Sequence, residues 1–194
     1  MELILIRHGL PQRIQRTDGA PADPPLSERG HEQASLVSGW LARESFDGVY
    51  ASNMRRARET ADPFGAVADM EVEIEPGVAE FDQHSASYIP MEELKRTDYE
   101  QWKAAVQGGL ESSVDLNEFR DVAVEALERI IQRHRGGRVA VFCHGGVINI
   151  WTSHILGMGA RLFFQPDYTS VNRYLCAGTG ERNLVSLNET AHLK

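Results

Sequence analysis

The sequence predicts an α/β fold: a three-layer α/β/α sandwich around a mostly parallel, doubly wound sheet with an antiparallel edge strand. Three observations predict it. Two apolar runs, Leu3-Ile4-Leu5-Ile6 and Val139-Ala140-Val141-Phe142-Cys143, lack polar alternation, as strands buried on both faces of a parallel sheet do. Segments with apolar residues at helical spacing lie between the strand-like runs. Near the end, two more strand-like runs flank Gly178-Thr179-Gly180, a hairpin turn signal.

The elements follow in order. The first strand ends in Arg7-His8-Gly9, where Gly9 permits a sharp turn. Residues 10–26 hold Pro11, Gly19, Pro21, Pro24 and Pro25 without periodicity and read as a loop. A helix begins at Leu26-Ser27, with Ser27 as N-cap and Ala34, Val37, Trp40 and Leu41 on one face. Residues 46–52 read as a turn and second strand. The next helix opens on Arg55, Arg56 and Arg58, and its inward stripe is Ala57, Ala61, Phe64 and Val67. Cations at a helix N-terminus oppose the dipole unless an anion binds there. A third strand spans Met70 to Glu75. An insertion from about 82 to 115 follows, with some helix around 90–107; its acidic residues outnumber its basic ones, so it disfavours polyanions weakly. Asn117 is the expected N-cap of a long helix with Phe119, Val122, Ala126, Ile130 and His134 along one side. The strand 138–143 then ends in His144-Gly145-Gly146, ahead of a helix over 147–156. The late strands fit 170–176 and 183–187. The chain reads as one domain without repeats or linkers.

Composition bounds the function. The 194 residues carry 42% hydrophobic and 25% charged residues, as a soluble globular protein does. A net charge of −8 argues against nucleic-acid and anionic-membrane partners. An anionic ligand is therefore drawn by local arginines. Only Lys95, Lys103 and Lys194 of the 20 basic residues are lysines, a bias that genome composition explains as well as oxyanion binding does. No apolar stretch approaches the roughly 18 residues of a membrane span. The run after Met1 lacks a signal peptide's basic start, and two cysteines make no disulfide framework. A cytoplasmic location is the expectation.

Two strands thus end alike, one at Arg7-His8-Gly9 and the other at His144-Gly145-Gly146. In a parallel sheet both ends lie on one edge, where such folds bind ligands. Around this pair, Leu26-Ser27-Glu28-Arg29-Gly30 with Gln33-Ala34, Tyr50-Ala51-Ser52, Arg56-Ala57-Arg58-Glu59-Thr60-Ala61, Glu80 and the ending Leu187-Asn188-Glu189-Thr190-Ala191-His192-Leu193 fall in order. This ordered set resembles the histidine phosphatase superfamily, the phosphoglycerate mutase-like group, from residue 3 to 193.

The resemblance implies a phosphoglycerate mutase-like fold over 1–194 with a lid at about 82–115. It implies a phosphomonoester hydrolase acting through a phosphohistidine on a small phosphorylated metabolite, with inorganic phosphate as product and neither cofactor nor metal. His8 would be the nucleophile, Arg7, Arg56 and His144 the phosphate pocket, and Glu80 the general acid. A histidine with a pKa of about 6.5 is largely neutral, hence nucleophilic, at neutral pH. Asp82 is the fallback acid, because Glu80-Phe81-Asp82-Gln83-His84-Ser85 departs from the family's usual run. The stretch after His8 departs too, reading Leu10-Pro11-Gln12-Arg13, where Gln12 or Arg13 would contact phosphate or lie in solvent. Ser52 orients the pocket or caps the following helix.

Three alternatives remain at this level: a phosphoglycerate mutase-type phosphotransfer, a catalytically silent domain, and a cysteine phosphatase. The last rests on Cys176-x5-Arg182, but the residues after it read as turn and strand, not as a phosphate-binding helix start. Cys143 fails that pattern, with Asn149 at the arginine position. A homodimer is compatible with the sequence and not specified by it.

Overall fold

A computed structural model describes residues 1–104 and 115–194. The expected insertion at 82–115 therefore falls partly outside the described residues, as does the end of its expected helix. A six-stranded sheet has the order β4-β3-β6-β1-β7-β8. Its strands are β1 (Glu2–Arg7), β3 (Gly48–Ala51), β4 (Val72–Ile74), β6 (Arg138–Cys143), β7 (Val171–Cys176) and β8 (Arg182–Glu189). Strands β4, β3, β6 and β1 run parallel. β7 runs against both β1 and β8, so the antiparallel strand lies one place in from the edge. β2 (Ile14–Gln15) and β5 (Ser87–Tyr88) form a separate ribbon, a short strand where the sequence reads only as a proline-rich loop.

Helices α1 (Glu28–Leu41) and α2 (Arg55–Ala68) pack together on one face of the sheet. α5 (Leu116–Arg133) and α6 (Gly145–Ile155) cover the other, and α3 (Met91–Thr97) and α4 (Tyr99–Ala104) lie in the insertion. Alternation along the strands divides the core. Ile4, Ile6, Val49, Ala140 and Phe142 meet Val37, Leu41, Ala61 and Phe64. Leu3, Leu5, Val139 and Val141 meet Leu127, Ile130, Val147 and Trp151. Both sets are fully or almost fully excluded from water. That is why the two apolar runs have no polar alternation.

Some boundaries and faces differ from the sequence reading. Val67 is 61% exposed. It lies about 80° round the helix from the stripe formed by Ala57, Ala61 and Phe64, and Ala68 packs there instead. Val122 is likewise exposed, and the buried face of α5 is Ala123, Ala126, Leu127, Ile130 and Ile131. The N-cap of α5 is Asp115, not Asn117; its carboxylate accepts from the Asn117 and Glu118 amides. α6 starts at Gly145, two residues earlier than expected, directly off His144. Ser27 caps α1 as expected, accepting from the Gly30 amide. Among the described residues, no helix is long and apolar enough to cross a membrane.

The turn after β1 is seated on the start of α1. The Ser27 hydroxyl donates to the Leu10 carbonyl at 2.8 Å and the Leu10 amide donates to Gln33 Oε1 at 2.9 Å. Gly30 makes this contact close: a Cβ there would lie 2.2 Å from the Leu10 carbonyl oxygen. Gly30→Ala should therefore destabilise the protein by about 1–3 kcal/mol, as overpacking does, measured by urea denaturation. An unchanged midpoint would show that the Leu10 turn moves aside freely.

Candidate active site

The two strand ends meet through the β1–β6 pairing, in which Arg7 stands opposite Cys143. The His8 amide donates to the Cys143 carbonyl at 3.0 Å. His8 and His144 are thus the first residues past two neighbouring strands, and their ring centroids lie 5.2 Å apart. Both are buried, as are Arg7, Arg56 and Glu80. The structure brings together all five residues singled out in the sequence.

His8 Nδ1 lies 2.8 Å from the Gly9 carbonyl. A carbonyl only accepts, so Nδ1 carries the proton and Nε2 keeps its lone pair. His144 Nε2 lies 2.9 Å from Ser52 Oγ, and that oxygen also accepts from the Met54 amide. With the hydroxyl's own proton directed to Nε2, neutral His144 holds its proton on Nδ1. Ser52 therefore orients the second histidine and does not cap the helix: the N-cap of α2 is Met54, which has no side-chain cap bond.

Arg7 donates to the Pro166 carbonyl, and its guanidinium sits 3.9 Å from the centre of the Tyr168 ring. Arg56 is 1% exposed. It donates through Nη2 to Asp82 at 2.8 Å and lies 4.7 Å from the centre of the Tyr88 ring. Thr60 ties this helix to the turn after His8: its hydroxyl donates to the Arg56 carbonyl and accepts from the Gly9 amide. Among the described residues, Arg7 Nε, Arg56 Nε and Nη1, and His144 Nδ1 are buried without a hydrogen-bond partner. Buried donors rarely go unpartnered, and an oxyanion satisfies such a cluster at once.

Glu80 accepts from the Gly146 amide at 2.9 Å and from the Phe81 amide at 3.2 Å. Gly146 permits this approach, since a Cβ there would lie 2.1 Å from Glu80 Oε1. Burial, then the neighbouring Asp82 charge, push the Glu80 carboxyl up to about 7, against the two amides and Arg56, which favour its charged form. Burial, then Arg56 and Arg7, hold His8 well below the ordinary histidine value. Burial, Arg56, His8 and Arg7 do the same for His144. At neutral pH both histidines are uncharged and Glu80 is part-protonated. Asp82, the alternative acid, is committed to the Arg56 ion pair.

Other sequence candidates fall outside the pocket. Gln12 donates to the Leu26 carbonyl, and Arg13 pairs with Glu93 in an exposed contact. Cys176 is buried at the end of β7, its thiol is pushed up to about 11 chiefly by burial, and a turn leads from it into β8. Cys143 is buried with its thiol raised further. Among the described residues, no three His, Cys, Asp or Glu side chains are placed to hold a metal ion. Sequence reasoning missed Tyr88, Tyr168 and Asn149. Asn149 donates to the Gly145 and Phe164 carbonyls and accepts from the Phe163 and Phe164 amides, which fixes one wall of the pocket. Their only sequence signal was polar or aromatic character beside Gly- and Pro-rich stretches.

Known proteins resemble this chain over most of its length. The family model described as "histidine phosphatase superfamily (branch 1)" matches residues 3–190. Phosphoserine phosphatase 1 of Hydrogenobacter thermophilus is 28% identical, covering 100% of this chain and 94% of its own. Phosphoglycerate mutase-like protein 4 of Arabidopsis thaliana is 30% identical over 76% of this chain and 67% of its own. The crystal structure of phosphoserine phosphatase from Entamoeba histolytica, in complex with 3-phosphoglyceric acid, superposes with a TM-score of 0.74 at 26% identity, covering 100% of this chain and 99% of that one.

The raised Glu80 carboxyl predicts a pH-dependent stability. Between about 4.5 and about 7 the folded protein holds a proton on Glu80 that the unfolded chain releases. Folding stability from this group therefore falls as pH rises through that window. Glu80→Gln removes the effect, so the stability of the wild type relative to Glu80→Gln should decline from pH 4.5 to 7.5 in urea titrations. A difference constant over that range would refute the raised value.

Proposed function

The chain belongs to the histidine phosphatase superfamily, and on that premise we propose that it is a metal-independent phosphomonoester hydrolase working through a phosphohistidine at His8. The observation that carries this reading is the orientation of His8. Its Nδ1–H is held on the Gly9 carbonyl, which leaves the Nε2 lone pair beside buried, unpartnered donors. Arg7, Arg56 and His144 take the phosphate oxygens and stabilise the charge of the transferring phosphoryl group.

In the first half-reaction His8 Nε2 attacks phosphorus in line. The bond from phosphorus to the ester oxygen breaks, and protonated Glu80 gives its proton to that oxygen. The alcohol leaves and phosphohistidine remains. In the second, ionised Glu80 takes a proton from water as the water oxygen attacks phosphorus. The P–Nε2 bond breaks, inorganic phosphate departs, and Glu80 is protonated again. A carboxyl near 7 suits both duties. Gly146 and Phe81, whose amides hold Glu80, keep it in the pocket for both.

The mutase reading draws on the Arabidopsis relative's name. It requires the phosphoenzyme to wait for a second substrate hydroxyl. The run after Glu80, Phe81-Asp82-Gln83-His84-Ser85, departs from the mutase-like pattern, which favours hydrolysis. Two buried free cysteines and the acidic surface fit a cytoplasmic enzyme without nucleic-acid or membrane partners.

His8→Ala should abolish hydrolysis of a generic aryl phosphate in excess chelator. Wild-type protein quenched in denaturant should carry acid-labile, base-stable phosphate on His8. Absence of that adduct together with activity in His8→Ala would overturn the proposal. Glu80→Gln should lose about 10²–10⁴ in kcat/KM, which reports the phosphorylation half alone, for alkyl phosphates, and far less for 4-nitrophenyl phosphate, whose leaving group needs no proton. Equal losses on both would remove Glu80 as the acid. Carbon-to-carbon phosphate transfer on phosphoglycerate that outpaces hydrolysis would establish the mutase.

A further inference from the structure

The pocket extends well past the phosphate clamp. Its volume is about 460 Å³, within the range of cavities that take whole small molecules. Beyond Arg7, His8, Arg56 and Glu80, its walls come from Gly145, Gly146 and Asn149 of α6 and from two segments, 81–94 and 162–166. The side chains these supply include Phe81, Ile89, Met91, Leu94, Phe163 and Phe164. Three of the polar groups that line it are engaged elsewhere, and the others, Ser87, Tyr88 and Gln165, are uncharged. Asn149 spends both ends of its amide on the 163–164 backbone and Gly145, Ser85 bonds to the Ser87 backbone, and Asp82 holds Arg56.

No second cation is at hand. Among the described residues, Arg7 and Arg56 are the only arginines or lysines lining the pocket, and both belong to the clamp. Arg13 is paired with Glu93, and Lys95 lies over the Trp102 ring. Residues 105–114 contain no lysine, arginine or histidine in their sequence. A substrate carboxylate beyond the phosphate would face apolar side chains with Glu80 and Asp82 nearby, and burying it unpaired is costly.

Resting on the phosphatase reading above, we propose that the leaving group of the substrate is an uncharged alcohol with a flat aromatic or aliphatic face. Phosphomonoesters whose leaving group bears a carboxylate are selected against. The pocket differs in this from what the names of the similar proteins, phosphoserine phosphatases among them, would suggest for the substrate. Phe163 and Phe164, held by Asn149, and the 81–94 segment then act as specificity determinants while the clamp does the chemistry.

The test compares 2-phenylethyl phosphate with 3-phosphoglycerate, both esters of primary alcohols. Wild-type kcat/KM should favour the phenylethyl ester at least tenfold. Calorimetry on His8→Ala should give the same order in Kd, and it reads the pocket whether or not the wild type turns either ester over. Equal or tighter binding of 3-phosphoglycerate would overturn the inference. Absence of turnover with the expected order of Kd would count against the phosphatase reading alone. Met91→Lys, which places a cation on the apolar wall, should shrink the Kd ratio at least fivefold. A ratio unmoved by that lysine would show that the leaving group does not sit against this wall.

Discussion

The parallel pairing of β1 with β6 is the constraint on which the site depends. Its register sets Arg7 against Cys143, so the residues that follow, His8 and His144, leave the sheet side by side. A one-residue slip would turn every β1 side chain to the opposite face, exchanging Leu3 and Leu5 for Ile4 and Ile6 beneath the wrong helices. Burial of both strand faces therefore fixes catalytic geometry as a by-product of core packing. The helices are then tied to this edge by single hydrogen bonds of high consequence. Thr60 of α2 reaches Gly9, Gln33 of α1 reaches Leu10, and Gly146 at the start of α6 reaches Glu80.

The electrostatics follow from placing two guanidinium groups where water is excluded. Such groups are costly to bury unpaired, and the neighbours share the load: Asp82 and Tyr88 for Arg56, Tyr168 and the Pro166 carbonyl for Arg7. The same arginines, after burial itself, keep His8 and His144 uncharged. The same Asp82 helps to keep Glu80 protonated. Two carboxylates of one short segment are thereby given different work. One is a fixed counter-ion and the other a proton carrier, and the difference lies in which of them reaches Arg56.

Most of the sheet and the pocket was legible in the sequence because the strongest signals there are local. An apolar run, a strand-end histidine followed by glycine, and a serine N-cap each declare themselves within a few residues. What escaped depended on three-dimensional neighbours or on phase. Val67 and Val122 are apolar, and only their angular position on α2 and α5 exposes them. Gln12 and Arg13 sit close to His8 in sequence, yet the turn at Gly9 carries them to Leu26 and Glu93. Tyr88, Tyr168 and Asn149 are far from either histidine motif in sequence or carry no motif of their own. Nothing short of the folded chain sets Tyr88 over Arg56 or Asn149 against Phe164.

The departure at Leu10 to Arg13 also accounts for how the pocket divides its tasks. The Leu10 amide and carbonyl are both spent on α1, to Gln33 and Ser27. The backbone just past the nucleophile is thus committed to holding His8 in place. The buried donors without partners at this edge come from three separate elements: Arg7 at the end of β1, Arg56 on α2 and His144 after β6. The rest of the pocket wall comes from Gly145, Gly146 and Asn149 of α6 and from segments 81–94 and 162–166, which lie outside the sheet. On the proposed reading, reaction and selection are therefore carried by different parts of the chain. A substitution on the apolar wall would then change which alcohol is accepted without moving the lone pair of His8, the charge on Arg56 or the proton on Glu80.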